Sequence, residues 1–386
     1  MIKNSAAQIA PAFFQHEPVL LSGNRFPVSH QYEDDGETSN HFTLDVYVEG
    51  RNPLFSDNPL VTLESRGFGG MAFFRVDPVL DSNTVLGYVL PVFTTNMPVE
   101  LDGGISRVGF KLSRAGVDQG TLNTHFFLKG GISDNDFRRY GQNFLSAYCN
   151  EKQIFLTFQP IVKPVTRQQP EYVNFLTNFD QSGAITCKAR RHFMDGSFDD
   201  VILSQVDSPR DFRIYQFPIG VVHHPALQES GIRLYEVYLV NVSGRRLTEV
   251  RAYQIRDADH APVLVFTNGL GGYDMLACFG DVAREGKYQH DNAFLIEQPQ
   301  RSGRDINREG RTEVTLRTGD YPPGWLPYFD VLLKSEDVRL LEADGTLTPL
   351  VHATDSLSLR DDTDPTYSAE IKFMTDRQER NASLLR

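Results

Sequence analysis

Paired histidines, glycine clusters, acidic runs and cysteines are the groupings in this sequence that could carry chemistry. His223 and His224 are adjacent and offer two imidazoles to a metal ion. Neighbouring residues on a strand point to opposite faces, and Pro225 holds His224 extended, so the pair reads as solvated loop histidines. Gly67-Phe68-Gly69-Gly70 and Gly269-Leu270-Gly271-Gly272 are the glycine clusters. A phosphate cradle needs a strand, such a loop, and then a helix whose first amides face the anion. Neither cluster is followed by helical periodicity and no Walker lysine is present, so both read as tight turns or bulges. The run Tyr273 to Phe279 that follows the second has the length and apolarity of a buried strand.

The acidic groups Glu33-Asp34-Asp35, Asp199-Asp200 and Asp361-Asp362 with Asp364 lack the alternating ligands and central glycine of a helix-loop-helix calcium site. They read as solvated turns, with an irregular calcium loop as the alternative. Paired carboxylates for glycoside hydrolysis depend on a tertiary separation, and nothing in the sequence marks a pair. There is no GxSxG nucleophile elbow. Cys149, Cys187 and Cys278 lie far apart, with no CxxC and no Cys/His spacing suited to zinc, and read as buried reduced thiols. Asn241-Val242-Ser243 and Asn381-Ala382-Ser383 match the glycosylation sequon, a coincidence in a chain without a secretory signal. Lys188, Arg190, Arg191 and His192 form a basic run that reads as a solvated strand face, with interface ion pairs as the alternative. No catalytic, cofactor-binding or metal-binding residue is assigned, and the chain is expected not to be an enzyme.

The elements that position these residues are mostly strands. Phe42, Leu44, Val46 and Val48 alternate with polar residues, as do Val108, Phe110 and Leu112, and Ile185, Cys187 and Ala189. Tyr235, Val237 and Leu239, and then Ala369, Ile371 and Phe373, repeat the pattern, which marks strands with one buried face. With 27 Phe, 15 Tyr and a single Trp, Trp325, the composition also leans towards sheet. Helical signals are few. Ser133 to Asp136 resembles a capping box, and Phe137, Tyr140, Phe144 and Tyr148 then predict a helix over 134–148. Asp77-Pro78 predicts a short helix carrying Val79, Leu80 and Leu86, with Asp77 as its cap. A third helix follows Pro323, with Trp325 or Leu326, Phe329 and Leu332 or Leu333 on one stripe and Pro327 in its first turn.

The 386 residues suffice for two to three domains at about 150 residues each. Prolines at 160, 164 and 170 make 159–170 a linker between an N-terminal β-rich domain, 1–158, and a middle β-sandwich, 171–297. The polar stretch Gln298 to Gly310 separates a C-terminal strand-helix-hairpin domain, 298–386, whose hairpin turns at Asp344-Gly345. The expected fold is mainly β: serial antiparallel β-sandwich-like domains with a few short helices. A net charge of −12 spread along the chain argues against a nucleic-acid partner. No stretch approaches the roughly 18 apolar residues of a membrane span, and no signal segment is visible, so the expectation is a soluble protein made in the cytoplasm.

Several stretches together resemble a group of proteins encoded by tailed phages and phage-like elements of Bacteroidota, usually among tail and baseplate genes. They are Glu17-Pro-Val-Leu-Leu-Ser-Gly-Asn24, Phe158-Gln-Pro-Ile-Val-Lys-Pro-Val165 with Gln169-Pro-Glu-Tyr172, and Phe266-Thr-Asn-Gly-Leu-Gly-Gly-Tyr-Asp274. Near the end, Arg311-Thr-Glu-Val-Thr-Leu316, Leu333-Lys-Ser335, Val338-Arg-Leu-Leu-Glu342 and Lys372-Phe-Met374 extend the similarity. Tyr273-Asp274 departs from the more apolar or Thr-containing continuation of that pattern. The resemblance implies a virion component assembled in the host cytoplasm: a tail, baseplate or tail-tip protein forming a ring with copies of itself and neighbouring tail proteins. It implies no cofactor and no small-molecule substrate. A carbohydrate-binding or host-recognition β-sandwich is the alternative, and a β-rich hydrolase with scattered carboxylates a third reading.

Overall fold

The structure, a computed structural model, describes residues 19–24, 27–32, 40–49, 58–82, 86–118, 123–140, 144–145, 155–177, 183–258, 261–297, 300–354 and 368–375. The chain is mainly β, with several antiparallel sheets and short helices. It forms two compact units, one from residues 1–157, 170–252 and 268–273, the other from 158–169, 253–267 and 274–386. This partition differs from three consecutive domains: the N-terminal and middle stretches share a unit, and the proline-rich stretch belongs to the second. That stretch is not an open linker, for Lys163 and Val165 are buried and Val162–Val165 is a strand.

In the first unit the strands Val19–Leu21, Asn123–Leu128, Ile105–Arg114, His41–Val48 and Val61–Arg66 lie side by side in that order. All neighbours run antiparallel except Val19–Leu21, which is parallel to Asn123–Leu128. The alternation in the sequence is the alternation of burial: Phe42, Leu44, Val46, Val108, Phe110 and Leu112 face one core. A second layer closes it, because Ala72 and Phe74 from the ladder Pro27–Gln31 with Met71–Arg75, and Leu80 and Leu86 after it, pack into the same cluster. Phe110 and Phe127 meet edge to face at 6.2 Å, a favoured aromatic geometry.

The same unit contains Ile185–Phe193 paired antiparallel to Phe198–Val206 on one side and Ile232–Asn241 on the other. Ile185, Cys187 and Ala189 share its buried face with Tyr235, Val237 and Leu239. Tyr172–Thr177, Arg213–Pro218 and Val99–Leu101 form a further small antiparallel sheet.

The short helices follow their local signals in part. Asp134–Tyr140 is helical, and Ser133 Oγ accepts from Asp136 N at 3.2 Å as the capping pattern requires. Residues 141–143 and 146–148 of the expected helix lie outside the described residues. Asp77–Leu80 is a single turn with no side-chain cap, since Val76 holds the cap position; Asp77 is its first residue and turns its carboxylate to Arg75 at 2.8 Å instead of to a backbone amide.

The second unit is built on strands ordered Tyr273–Ala277, Val263–Thr267, Val338–Leu341, Leu347–His352, Glu370–Thr375, Gln300–Arg317 and Val282–Glu297. Asp344-Gly345 makes the hairpin between Val338–Leu341 and Leu347–His352, with Gly345 at φ +84° and the Asp344 carboxylate accepting from Thr346 N at 2.9 Å. The helix Leu326–Leu333 holds Pro327 in its first turn, where the missing N–H costs nothing. Trp325, Tyr328, Phe329 and Leu332 bury against Leu264, Phe266, Leu316, Ile371 and Phe373. Buried hydroxyls find partners, Tyr321 on Ala277 O at 2.7 Å and Tyr328 on Asp274 Oδ2 at 2.8 Å.

Gln298–Gly310 does not separate domains. Val282–Glu297 and Gln300–Arg317 are the arms of one long hairpin, paired from Val282↔Leu316 to Glu297↔Gln300. Among the described residues only Glu313–Arg317 is also joined to Glu370–Met374, and the rest of the hairpin runs on as a two-stranded ribbon, with 12 residues from Gln300 to Arg311 spanning roughly 40 Å. A ribbon need not bury one face, so the period-two signal that reveals other strands is missing here.

The helix-to-sheet packing of the second unit gives a direct test. Phe329→Ala is expected to lower stability by about 3–5 kcal/mol. Urea unfolding followed by the fluorescence of Trp325, which lies in the same cluster, measures it.

Candidate functional site

Three glycine-bearing loops from distant parts of the chain meet in the first unit. Gly23 N donates to Gly130 O at 2.7 Å, and Gly131 N donates to Gly269 O at 3.0 Å. Gly130 also forms an isolated bridge with Leu270. The main chains touch with no room for side chains: a Cβ on Gly130 would stand 2.1 Å from Gly269 O, and one on Gly23 2.9 Å from Gly130 O. A Cβ on Gly271 would meet Leu128 at 2.4 Å, and one on Gly272 would meet Asn174 at 2.3 Å.

Asparagine side chains complete this junction by standing in for backbone. Asn24 both accepts from Ile132 N and donates to Ile132 O, each at 3.0 Å. Asn268 accepts from Leu270 N at 2.9 Å and donates to Leu156 O at 2.8 Å. These residues belong to two of the stretches that carry the resemblance, Ser22-Gly23-Asn24 and Asn268 to Gly272. The loop after Gly272 leads into the buried strand Tyr273–Ala277, as expected, and not into a helix. The other cluster, Gly67 to Gly70, makes the tight turn that carries the chain from Val61–Arg66 in one sheet to Met71–Arg75 in another, with Gly69 and Gly70 at positive φ.

A buried charge lies beside the junction. The Lys129 side chain is 2% exposed and donates to Asp81 Oδ1 at 3.0 Å and to Asp81 O at 2.8 Å. Ser22 Oγ donates to the same Asp81 oxygen at 2.9 Å and accepts from Gly130 N at 3.3 Å. The Lys129 ammonium also lies 5.4 Å from the centre of the Tyr88 ring. A serine, a lysine and a carboxylate in sequence-distant contact have the composition of an activated nucleophile. Here Ser22 is 1% exposed and its hydroxyl is committed to the carboxylate, so the group holds loops together and offers no open face to a substrate. Sequence reasoning missed this cluster, because Lys129 and Asp81 carry no motif.

The histidine pair is not solvated. Val221–His223 and Pro225–Leu227 are successive 3-10 turns, which put the two ring centroids 6.4 Å apart. His224 is buried and bonds Pro218 O at 2.7 Å through Nε2. His223 packs on Tyr172 at 4.9 Å, and burial pushes its imidazole down to about 4. The Tyr172 hydroxyl and His223 Nε2 are both buried without a hydrogen-bond partner. Among the described residues no group of three or more His, Cys, Asp or Glu is placed to hold a metal ion.

The remaining candidates fall on a sheet. Residues of the basic run alternate: Lys188, Arg190 and His192 take one face of Ile185–Phe193, and Arg191 the other. Arg190 grips Asp200 with Nε at 2.8 Å and Nη2 at 3.1 Å, and lies 5.2 Å from the Phe198 ring centre. Arg191, on the buried face, bonds Asp199 through two nitrogens, Glu229 at 2.7 Å and Ala226 O at 2.7 Å. Hydrogen bonds from these guanidinium groups hold the Asp199 and Asp200 carboxyls below the usual carboxylate range. The acidic pair is therefore one half of a paired-charge sheet and not a solvated turn. Next to it Phe198 and Ile202 are 63% and 64% exposed.

Cys187 and Cys278 are free, and burial raises both thiols, Cys278 to about 12, which leaves them protonated and unreactive at neutral pH. The Asn241 side chain caps a turn by accepting from Ser243 and Arg245. Cys149, Asn381, Glu33 to Asp35 and Asp361 to Asp364 lie outside the described residues.

Two outcomes follow from this geometry. Gly130→Ala, with φ +140° and a carbonyl in the way, is expected to cost more than about 4 kcal/mol, whereas Gly69→Ala, at φ +58° in open space, costs about 1–2 kcal/mol. Denaturation midpoints of the two variants separate them. His223 is held at about 4, against 6.5 for a free imidazole, so the unfolded chain takes up a proton that the fold refuses between those values. Stability is therefore lost as pH falls from 6.5 towards 4, and this group causes no further loss below that range. His223→Gln should reduce the slope in a melting series across that window.

No protein-family model matches this chain, and no curated protein matches it.

Proposed function

We propose that the chain is a structural subunit of a phage or phage-derived particle, located in its tail, baseplate or tail tip and built into a ring without catalysis. The observation that carries this reading is the hairpin Val282–Glu297 with Gln300–Arg317, most of which runs beyond the sheet that anchors it. An isolated two-stranded hairpin is marginally stable at best in water, so a ribbon of this length is suited to lie against other subunits. The resemblance to tail and baseplate proteins points the same way, as do Phe198 and Ile202 on an open sheet face. A sugar-binding module would favour an exposed Trp platform, and the single Trp is closed in the core of the second unit.

Mass spectrometry and electron microscopy of particles purified from producing cells test the reading. A stoichiometric presence, in copies that fit a closed ring, is expected; absence of the chain from every particle fraction overturns it.

A further inference from the structure

The strand Phe198–Val206 ends its sheet and, among the described residues, pairs with Ile185–Phe193 alone. Its outer backbone amides and carbonyls form a template nine residues long for another strand. Proteins guard such edges, and this one is guarded in a selective way. The register slips between Cys187 and Lys188, so Leu203 is an extra residue that bulges the strand after Ile202. The regular half, Phe198–Ile202, carries Asp199 and Asp200. Two-fold antiparallel pairing of that half with itself would set Asp200, with its Arg190 partner, against the same ion pair of the other copy, and like charges directly opposite are destabilising. A basic strand meets no such penalty.

The chain contains one. From Gln300 to Arg311 the ribbon arm holds Arg301, Arg304, Arg308 and Arg311 against Asp305 and Glu309, in a protein whose net charge is −12. One side of this arm is paired with Val282–Glu297; its other side joins Glu370–Met374 only from Glu313 onward. Among the described residues the first 12 residues of the arm have no partner on that other side, and they offer two regular runs, 300–305 and 307–311, on either side of a bulge at Ile306.

We propose that these edges join between copies: the Gln300–Arg311 arm of one copy adds as a strand to Phe198–Val206 of the next. The inference rests on the assembly reading above and names the contact that closes the ring. The two surfaces differ, so each copy can give an arm and receive one. That head-to-tail arrangement closes as a ring or runs on as a filament, whereas a self-complementary patch stops at a dimer. The net positive sequence of the arm and the carboxylates of the acidic strand make the contact sensitive to salt.

The test uses the full chain with Ile202 replaced by the photo-crosslinking residue p-benzoylphenylalanine, mixed from light and heavy isotope preparations. Crosslinks joining light to heavy chains from position 202 to residues 300–311 are expected. Arg304→Glu with Arg308→Glu should lower their yield at least about tenfold while leaving the circular dichroism spectrum unchanged. Crosslinks to 198–206 of the other copy, crosslinks within one copy only, or no inter-copy crosslinks overturn the proposal. If the chain is present in particles but gives no such crosslinks, this contact fails and the particle reading stands. If the pure chain gives them but no particle contains it, the reverse holds.

Discussion

Where loops 22–24, 129–132 and 268–272 cross, peptide groups approach one another with nothing between them, and this contact constrains the first unit more than any patch of its core. Hydrophobic cores tolerate exchange of one apolar side chain for another of similar volume. A backbone-to-backbone crossing has no such latitude, since even a methyl group on Gly130 would overlap Gly269 O. The surrounding groups all serve that closeness: Asn24 and Asn268 satisfy peptide groups of Ile132, Leu156 and Leu270. Ser22 links the Gly130 amide to the Asp81 carboxylate, and Lys129 balances the charge.

Polar groups elsewhere follow the same economy of pairing. Arg191 is nearly enclosed, and its nitrogens reach two carboxylates and a carbonyl. In the second unit Lys163 is fully buried, and both it and Gln159 donate to the carbonyl of Met275, on a strand that ends its sheet. That edge is thereby closed by side chains, while Phe198–Val206, among the described residues, has no second strand and carries a bulge and two acids. The contrast between a sealed edge and an open one is a physical distinction that the strand sequences alone do not reveal.

Much of the fold was legible because burial of one face forces alternation. His41–Val48, Ile185–Phe193 and Ile232–Asn241 each announce themselves through residues that do bury. The Asp344-Gly345 turn and the Pro327 helix start are equally local. What stayed hidden is non-local or aperiodic. The ribbon carries no alternation, and among the described residues no further strand joins its outer part. The Lys129–Asp81–Ser22 contact joins residues 48 and 59 positions apart. The histidines looked solvated because the strand geometry assumed for them does not hold in consecutive 3-10 turns. Chain continuity also misled: the proline-rich stretch looks like a spacer until its buried Lys163 and Val165 are seen.

The first unit takes residues 268–273 from a point in the chain flanked on both sides by segments of the second. During synthesis the ribosome must therefore release the chain as far as Asn268 before that residue can reach Leu156, a partner 112 residues earlier. Until then the loops carrying Gly23 and Gly130 lack the third member of their crossing. Loop-closure entropy must be met before such distant contacts reward it, which makes folding slow and leaves incomplete sheets exposed. For a protein with an open edge strand, that interval is a window for aggregation, and chaperone dependence in a foreign host is the practical consequence.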